Sequence, residues 1–343
     1  MRTKIILLAV LLVVLPGLMS LSAQDGGIPD LATFSESFED FSSEFAKSLP
    51  MNSAIGLNWS DAYIGQLLPI PSFGVGITTG FTTIPLGVLE DLVDDLGLDS
   101  GSALGDLPGI GAPLPGYALD ARVGGFYLPF DAGIKFGTIP EMKIGDVSVE
   151  YTNFGFDVRY AVLEGGLVLP KISVGAGYNH LRGSVSAPLG IGNTRIASVP
   201  DPEDENNTYV LALTDPNVDF DWTANVLDFK VQVSKRFIVV EPHIGLGASY
   251  GWAKTNSGFD TQVTVFESDG VTESAISASE LGKIAGVSID DKGLSISTEE
   301  NPFAIRAFGG ASLNVAVFRL DLGAMYNLNS GAFGATLGAR FQL

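Results

Sequence analysis

From Phe73 to the C-terminus, apolar side chains recur at every second residue, and that period fixes what the chain can become. Tyr117, Leu119, Ala121 and Val123 alternate with Asp120, Arg122 and Gly124. Phe130, Ala132, Ile134 and Phe136 alternate with Asp131, Gly133 and Lys135. Successive side chains of a strand point to opposite faces, so each such segment has one apolar face and one face of charge and glycine. The pattern returns in residues 154–160, with Asp157 and Arg159 on the polar side, and in 172–178. It returns again in 227–233, with Asp228 and Lys230, and in 240–252, with Glu241 and His243. Residues 303–307, 318–326 and 333–343 follow, with Arg306, Arg319, Asp321 and Arg340 on the polar side.

Together with residues 73–84 these segments make about ten strands. The even number suits a closed antiparallel barrel. Two more segments, 54–59 and 262–266, would raise the count to 12 if each paired. Connections near Pro129, Gly165, Lys235 and Asn314 are short, whereas those over about 85–115, 183–219 and 254–302 are long. Short turns on one end and long loops on the other is the asymmetry of outer-membrane barrels. The long connections carry the acidic clusters Glu90, Asp91, Asp94, Asp95, Asp99 and Asp106, then Asp201, Glu203, Asp204 and Glu205. Leu86, Leu89, Leu92, Val93 and Leu96 predict a short amphipathic helix in the first. Aromatic rings fall where two interfaces should be. Tyr178, Tyr250, Trp252, Phe303 and Tyr326 lie toward the loop end, and Phe130, Tyr160, Phe237, Phe318 and Phe341 toward the turn end.

Composition agrees with an apolar exterior that is not helical. Mean hydropathy is +0.30 and 46% of residues are apolar, yet no run after the N-terminus approaches the roughly 18 uncharged residues of a spanning helix. The one long apolar run follows Arg2 and Lys4, breaks at Pro16 and Gly17, and ends in small residues. It is a signal peptide expected over residues 1–23, with cleavage near Ala23 and export to the outer membrane. A formal charge of −20 argues against nucleic acid as a partner. The absence of cysteine excludes disulfides and thiolate metal sites. No catalytic motif or metal-ligand cluster is found, so an enzyme, a cofactor and a metal are not expected.

Residues 24–72 form a lead-in. Phe34, Phe38, Phe41 and Phe45 recur at helical spacing with acids and serines opposite, which predicts an amphipathic helix ending at Pro50. Its apolar stripe could pack on the turn-end mouth of the barrel, the favoured placement, or plug the lumen.

The last eight residues, Thr336 through Leu343, carry polar Thr336, Gly338, apolar Phe341 and terminal Leu343. This resembles the C-terminal signal of Gram-negative and spirochaete-type outer-membrane barrels. The resemblance implies recognition by the barrel-assembly machinery and outer-membrane lipid as surroundings. A helical segment ahead of a barrel is also similar in layout to fatty-acid-transporter-type barrels, whose N-terminal segment plugs the lumen.

The inward set mixes signs: Asp120, Arg122, Asp131, Lys135, Asp157, Arg159, Asp228, Lys230, Glu241, His243, Arg306, Arg319, Asp321 and Arg340. A barrel of this size has a narrow interior, and unpaired charge there is costly. The set is read either as a salt-bridged core or as a charged constriction. The chain is therefore expected to be a narrow channel or transporter for small or hydrophobic solutes, partly occluded by its N-terminal helix. The alternative is a closed structural or surface-interaction barrel displaying acidic loops. Replacing Phe341 and Leu343 by Ala should lower the folded protein recovered from outer membranes, read by heat-modifiable gel migration; unchanged levels would make the terminal match incidental.

Overall fold

The computed structural model describes residues 31–65, 72–85, 87, 90, 111–125, 128–144, 147–166, 168–188, 194–201, 208–285, 289–290 and 293–343. The expected signal peptide, residues 24–30 and the amphipathic stretch from Leu86 to Leu96 lie outside the described residues. The elements run α1 (Leu31–Asn52), β1 (Ser72–Ile84), β2 (Ala112–Gly124), β3 (Phe130–Ile144), β4 (Val147–Leu163), β5 (Lys171–Pro188), β6 (Thr194–Pro200), β7 (Thr208–Ser234) and β8 (Val240–Phe266). Then come α2 (Ala278–Ala285), β9 (Ile289–Asp290), β10 (Gly293–Glu300), β11 (Phe303–Val315), β12 (Phe318–Asn327) and β13 (Phe333–Gln342).

Ten strands close a ring. Each pairs antiparallel with the next in the order β1, β2, β3, β4, β5, β7, β8, β11, β12, β13, and β13 returns to β1. The chain is an all-β, antiparallel barrel with an N-terminal amphipathic helix. The remaining strands extend its wall at the loop end: β6 pairs with the upper part of β7, and β10 with the upper part of β8. Closure leaves no unpaired edge in the ring, which a spanning sheet requires. The outer face carries Val75, Ile77, Leu119, Ile134, Phe156, Val158, Phe229, Leu246 and Leu322, all exposed. On β12 this band is bracketed by Phe318 and Tyr326, about 26 Å apart along the strand at ~3.3 Å per residue.

Four expectations are corrected. Residues 54–59 are not a strand: Gly56 and Leu57 hold positive φ angles of 85° and 60°, which breaks an extended backbone. Residues 262–266 prolong β8 instead of adding a strand, so the count stays at ten. The connections 183–219 and 254–302 are mostly strand. Their two-residue period continues, but its apolar face swaps sides. Below residue 226, Leu227, Phe229 and Val231 face out and Asp228 and Lys230 face in; above it, Phe220, Trp222, Ala224 and Val226 face in and are buried, with Asp219 and Asp221 on the alternate positions. A barrel wall surrounded by water needs an apolar interior, and one surrounded by hydrocarbon needs an apolar exterior.

The fourth correction is α1. It runs two residues past Pro50 and docks inside the loop-end half, not at the turn-end mouth. Phe38 meets Phe259 at 5.9 Å, and Phe45 meets Phe220 and Trp222 at 4.7 and 5.1 Å. Phe38, Phe41, Phe45 and Leu49 are all buried in one apolar cluster with Leu211, Val263, Val265, Leu294 and Ile296. The Phe34 side chain lies outside the described residues. The apolar stripe demanded an apolar partner, and the inward-facing upper strands supply it, whereas the turn-end lumen is charged. Glu36, Glu39 and Asp40 are exposed on the opposite side.

Truncating Phe45 to Ala should cost about 3 kcal/mol and free α1 first. Limited proteolysis should then cut within α1 while the barrel remains heat-modifiable; resistance equal to that of the parent protein would show that the aromatic contacts do not hold the helix.

Candidate functional site

After Asn52 the chain turns down through the lumen, reaches the turn end by Ile64 and rises again as β1. All fourteen inward residues named from the sequence line this passage. The seven cations are Arg122, Lys135, Arg159, Lys230, Arg306, Arg319 and Arg340, against six carboxylates, Asp120, Asp131, Asp157, Asp228, Glu241 and Asp321. Asp61, on the inserted segment, is the seventh acid.

The wall charges pair in two clusters. Arg159 grips Asp131 through Nε and Nη2 at 2.8 and 2.7 Å. Arg122 bridges Asp131 and Asp157, and Lys230 meets Asp157 at 2.9 Å. Apart from these, Arg306 donates to both oxygens of Asp228 at 2.6 and 2.9 Å. Such forked contacts are the stronger kind of charged hydrogen bond.

A third cluster forms only because the segment is present. Arg319 on β12 sits directly opposite Arg340 on β13, and like charges so placed repel. Asp61 lies 2.8 Å from Arg340 and 3.8 Å from Arg319, with Lys171 at 3.4 Å. Burial alone would raise its carboxyl; the charges of Arg340, Lys171 and Arg319 outweigh that and hold it far below the ordinary carboxylate range. Arg340 also pairs with Asp321 at 2.9 Å, and Ser60 donates to Asp321. Trp59 donates to Asp120 at 2.9 Å while the Arg340 guanidinium stands 4.5 Å over its ring.

The rest of the segment is held by its backbone. Carbonyls of Ser53 and Ile55 accept from Lys135, that of Leu57 from Arg122 and Lys230, that of Trp59 from Gln232, that of Asp61 from Arg159, and that of Tyr63 from Lys171. The amides of Ala62 and Ile64 donate to Ser234 and Asp131. A segment without secondary structure thus has its buried polar backbone satisfied by wall side chains.

Inward glycines make the room. A Cβ on Gly74 would stand 2.8 Å from the Trp59 ring, and one on Gly133 2.7 Å from Leu57. Gly116 and Gly124 are crowded in the same way by Ile55 and by the Ile64 carbonyl.

Glu241 and His243 do not form a catalytic-looking pair. Glu241 accepts from Ser234 and Asn314, and His243 lies 6.3 Å from the Phe308 ring. Among the described residues no group of His, Asp and Glu could hold a metal ion, and no helix is long and apolar enough to cross a membrane.

Sequence reasoning found the wall charges but missed Trp59, Ser60, Asp61 and Gln232. Two signals were available: the wall's one surplus cation, and glycines on the inward parity where side chains would otherwise fill a narrow barrel.

Replacing Asp61 by Asn leaves Arg319 and Arg340 facing each other without a counter-charge. Thermal unfolding should show a loss of about 3–5 kcal/mol, the scale for breaking a buried pair from one side. A loss under 0.5 kcal/mol would mean that water, not Asp61, screens the arginines.

Among known proteins, a family model described as a family of unknown function (DUF6588) matches residues 112–343. No curated protein matches the chain. Several solved structures share features of the fold. The outer membrane protease OmpT of Escherichia coli is 9% identical with a TM-score of 0.38, over 82% of this chain and 100% of that one. The attachment invasion locus protein Ail of Yersinia pestis is 12% identical with a TM-score of 0.27, over 80% and 99%. The toluene transporter TbuX of Ralstonia pickettii is 11% identical with a TM-score of 0.24, over 79% and 88%.

Proposed function

This chain belongs to the DUF6588 family, and from its geometry we propose that it is an outer-membrane barrel working as a gated conduit for a small apolar solute, closed by its own residues 31–64. The bilayer placement is supported by the exposed apolar band and its aromatic borders. With the short turns on the periplasmic side, as is usual for such barrels, α1 enters from outside and the segment threads inward. Assembly through the terminal signal at Thr336 to Leu343 belongs to the same proposal; Phe341 there packs between Phe73 and Phe318 at 6.4 and 6.0 Å.

One observation carries the gating. The lumen is filled by a separate, non-strand segment seated against wall glycines, although a ten-strand barrel can fill itself with wall side chains. A permanently closed scaffold has no use for a filler that can leave. The apolar, aromatic chamber under α1 supports an apolar cargo, since what takes the helix's place must suit Phe220, Trp222 and Phe259.

Planar-bilayer recording tests the reading. The full chain should be closed with rare openings, and a variant lacking residues 31–64 should conduct steadily. Should that variant fail to fold, the full chain with Ser60→Cys and Asp321→Cys decides. The two side chains touch, and no native cysteine competes. Oxidation should abolish the openings and reductant restore them. Silence in every form, or openings indifferent to the cross-link, would instead mark a closed surface scaffold.

A further inference from the structure

Between the apolar chamber and the charged zone lies a layer of uncharged polar groups that the closed protein leaves unsatisfied. Asn153 on β4 is fully enclosed, and neither end of its side-chain amide has a hydrogen-bond partner. Tyr151, two residues away on the same inward face, has an unpartnered hydroxyl and is 7% exposed. Tyr151 stands opposite Gly183 on β5, and Gly183 opposite Trp222 on β7. A Cβ on Gly183 would strike the Trp222 indole at 2.3 Å, so the indole lies across that glycine, toward Tyr151. Its Nε1 hydrogen also meets no acceptor. Asn52, the last residue of α1, spends its amide nitrogen on Thr82 and the Leu114 carbonyl and leaves Oδ1 without a partner. A Cβ on Gly116 would lie 3.3 Å from the Tyr151 hydroxyl and 3.6 Å from that Oδ1, which brings the two atoms to one place.

Buried polar atoms are nearly always paired, and a group of orphans asks for a reason. Here they converge where the tip of α1 lies. Directly above them Phe45 packs on Trp222. Lys135, on the neighbouring strand β3, is committed to the carbonyls of Ser53 and Ile55. The layer therefore offers donors and acceptors but no free charge, beneath an apolar wall.

We propose that this layer is the recognition site for an amphipathic ligand with an uncharged hydrogen-bonding head, such as an alcohol, ester or amide, and an apolar alkyl or ring body. The head pairs with Asn153, Tyr151 and Trp222. The body takes the position of Phe41 and Phe45 against Phe220, so α1 is an internal competitor for the site. The inference rests on the conduit reading for α1 to be displaceable, and it adds the class of cargo.

Calorimetric titration of the full chain in amphipol, with decan-1-ol and with decanoate, tests it. Decan-1-ol should bind at least tenfold tighter than decanoate. Asn153→Leu, close in shape, should weaken decan-1-ol at least tenfold without lowering the melting temperature, because no native partner is lost. Tyr151→Phe, which removes only the hydroxyl, should act in the same direction and covers the case in which Asn153→Leu does not fold. Equal binding of the two probes, binding of neither, unchanged affinity in the variants, or a fall in melting temperature parallel to the loss of binding would each overturn the proposal. Decan-1-ol binding by a protein silent in bilayers would remove the conduit and leave the site; conduction without binding would remove the site alone.

Discussion

Two arginines that face each other across adjacent strands cannot both stay charged in a nearly dry space without an acid between them. Arg319 and Arg340 are so placed, and the acid comes from outside the sheet, as Asp61. The register of β12 and β13 is fixed by backbone ladders, so neither arginine can move aside. Wall and insert are thereby one electrostatic object. The wall alone has one cation too many, and the insert alone would bury backbone groups without partners. Each is the solution to the other's cost, which is why a stretch with no secondary structure can hold a defined path through a barrel.

That mutual dependence also explains what the sequence could and could not say. The strands were legible because a period of two is intrinsic to the chain: it assigns Asp131 inward and Ile134 outward without knowledge of any partner. The path of residues 53–64 has no period. Its shape is set by Lys135, Arg159 and Gln232, which lie 80 to 170 or so residues away in the chain, and only the surplus cation and the inward glycines hinted at it. Helix α1 falls between these cases. Phe38, Phe41 and Phe45 announced a helix and an apolar partner, but a stripe names no location. The location lay in strands misread as loops, because Phe220 and Trp222 sit on the opposite parity from Phe229 and Val231. An alternation that changes sides looks, locally, like an alternation that ends.

The interior is also graded along its axis. Nearest the turns it is ionic, at the level of Tyr151 and Asn153 it is polar and neutral, and beyond Phe45 it is aromatic and aliphatic. A peptide segment that traverses all three must change character along its length, and this one does. The aromatic residues of α1 give way to Asn52, then to Trp59, Ser60 and Asp61. The segment samples every layer that a passing molecule would meet in the same order.

The swap of faces at Val226 and Leu227 has a further consequence. Two consecutive apolar residues, one turned in and one turned out, mark on β7 the height at which the surroundings change from hydrocarbon to water. In a bilayer the mark acts as a waterline. Sinking the barrel by one pleat would press the alternate side chains just above it, Asn225 and Thr223, into the acyl layer; lifting it would strand Leu227 and then Phe229 in water. The vertical seating of the molecule is therefore written into a single pair of neighbouring residues, and the height of the tower that stands outside is set with it.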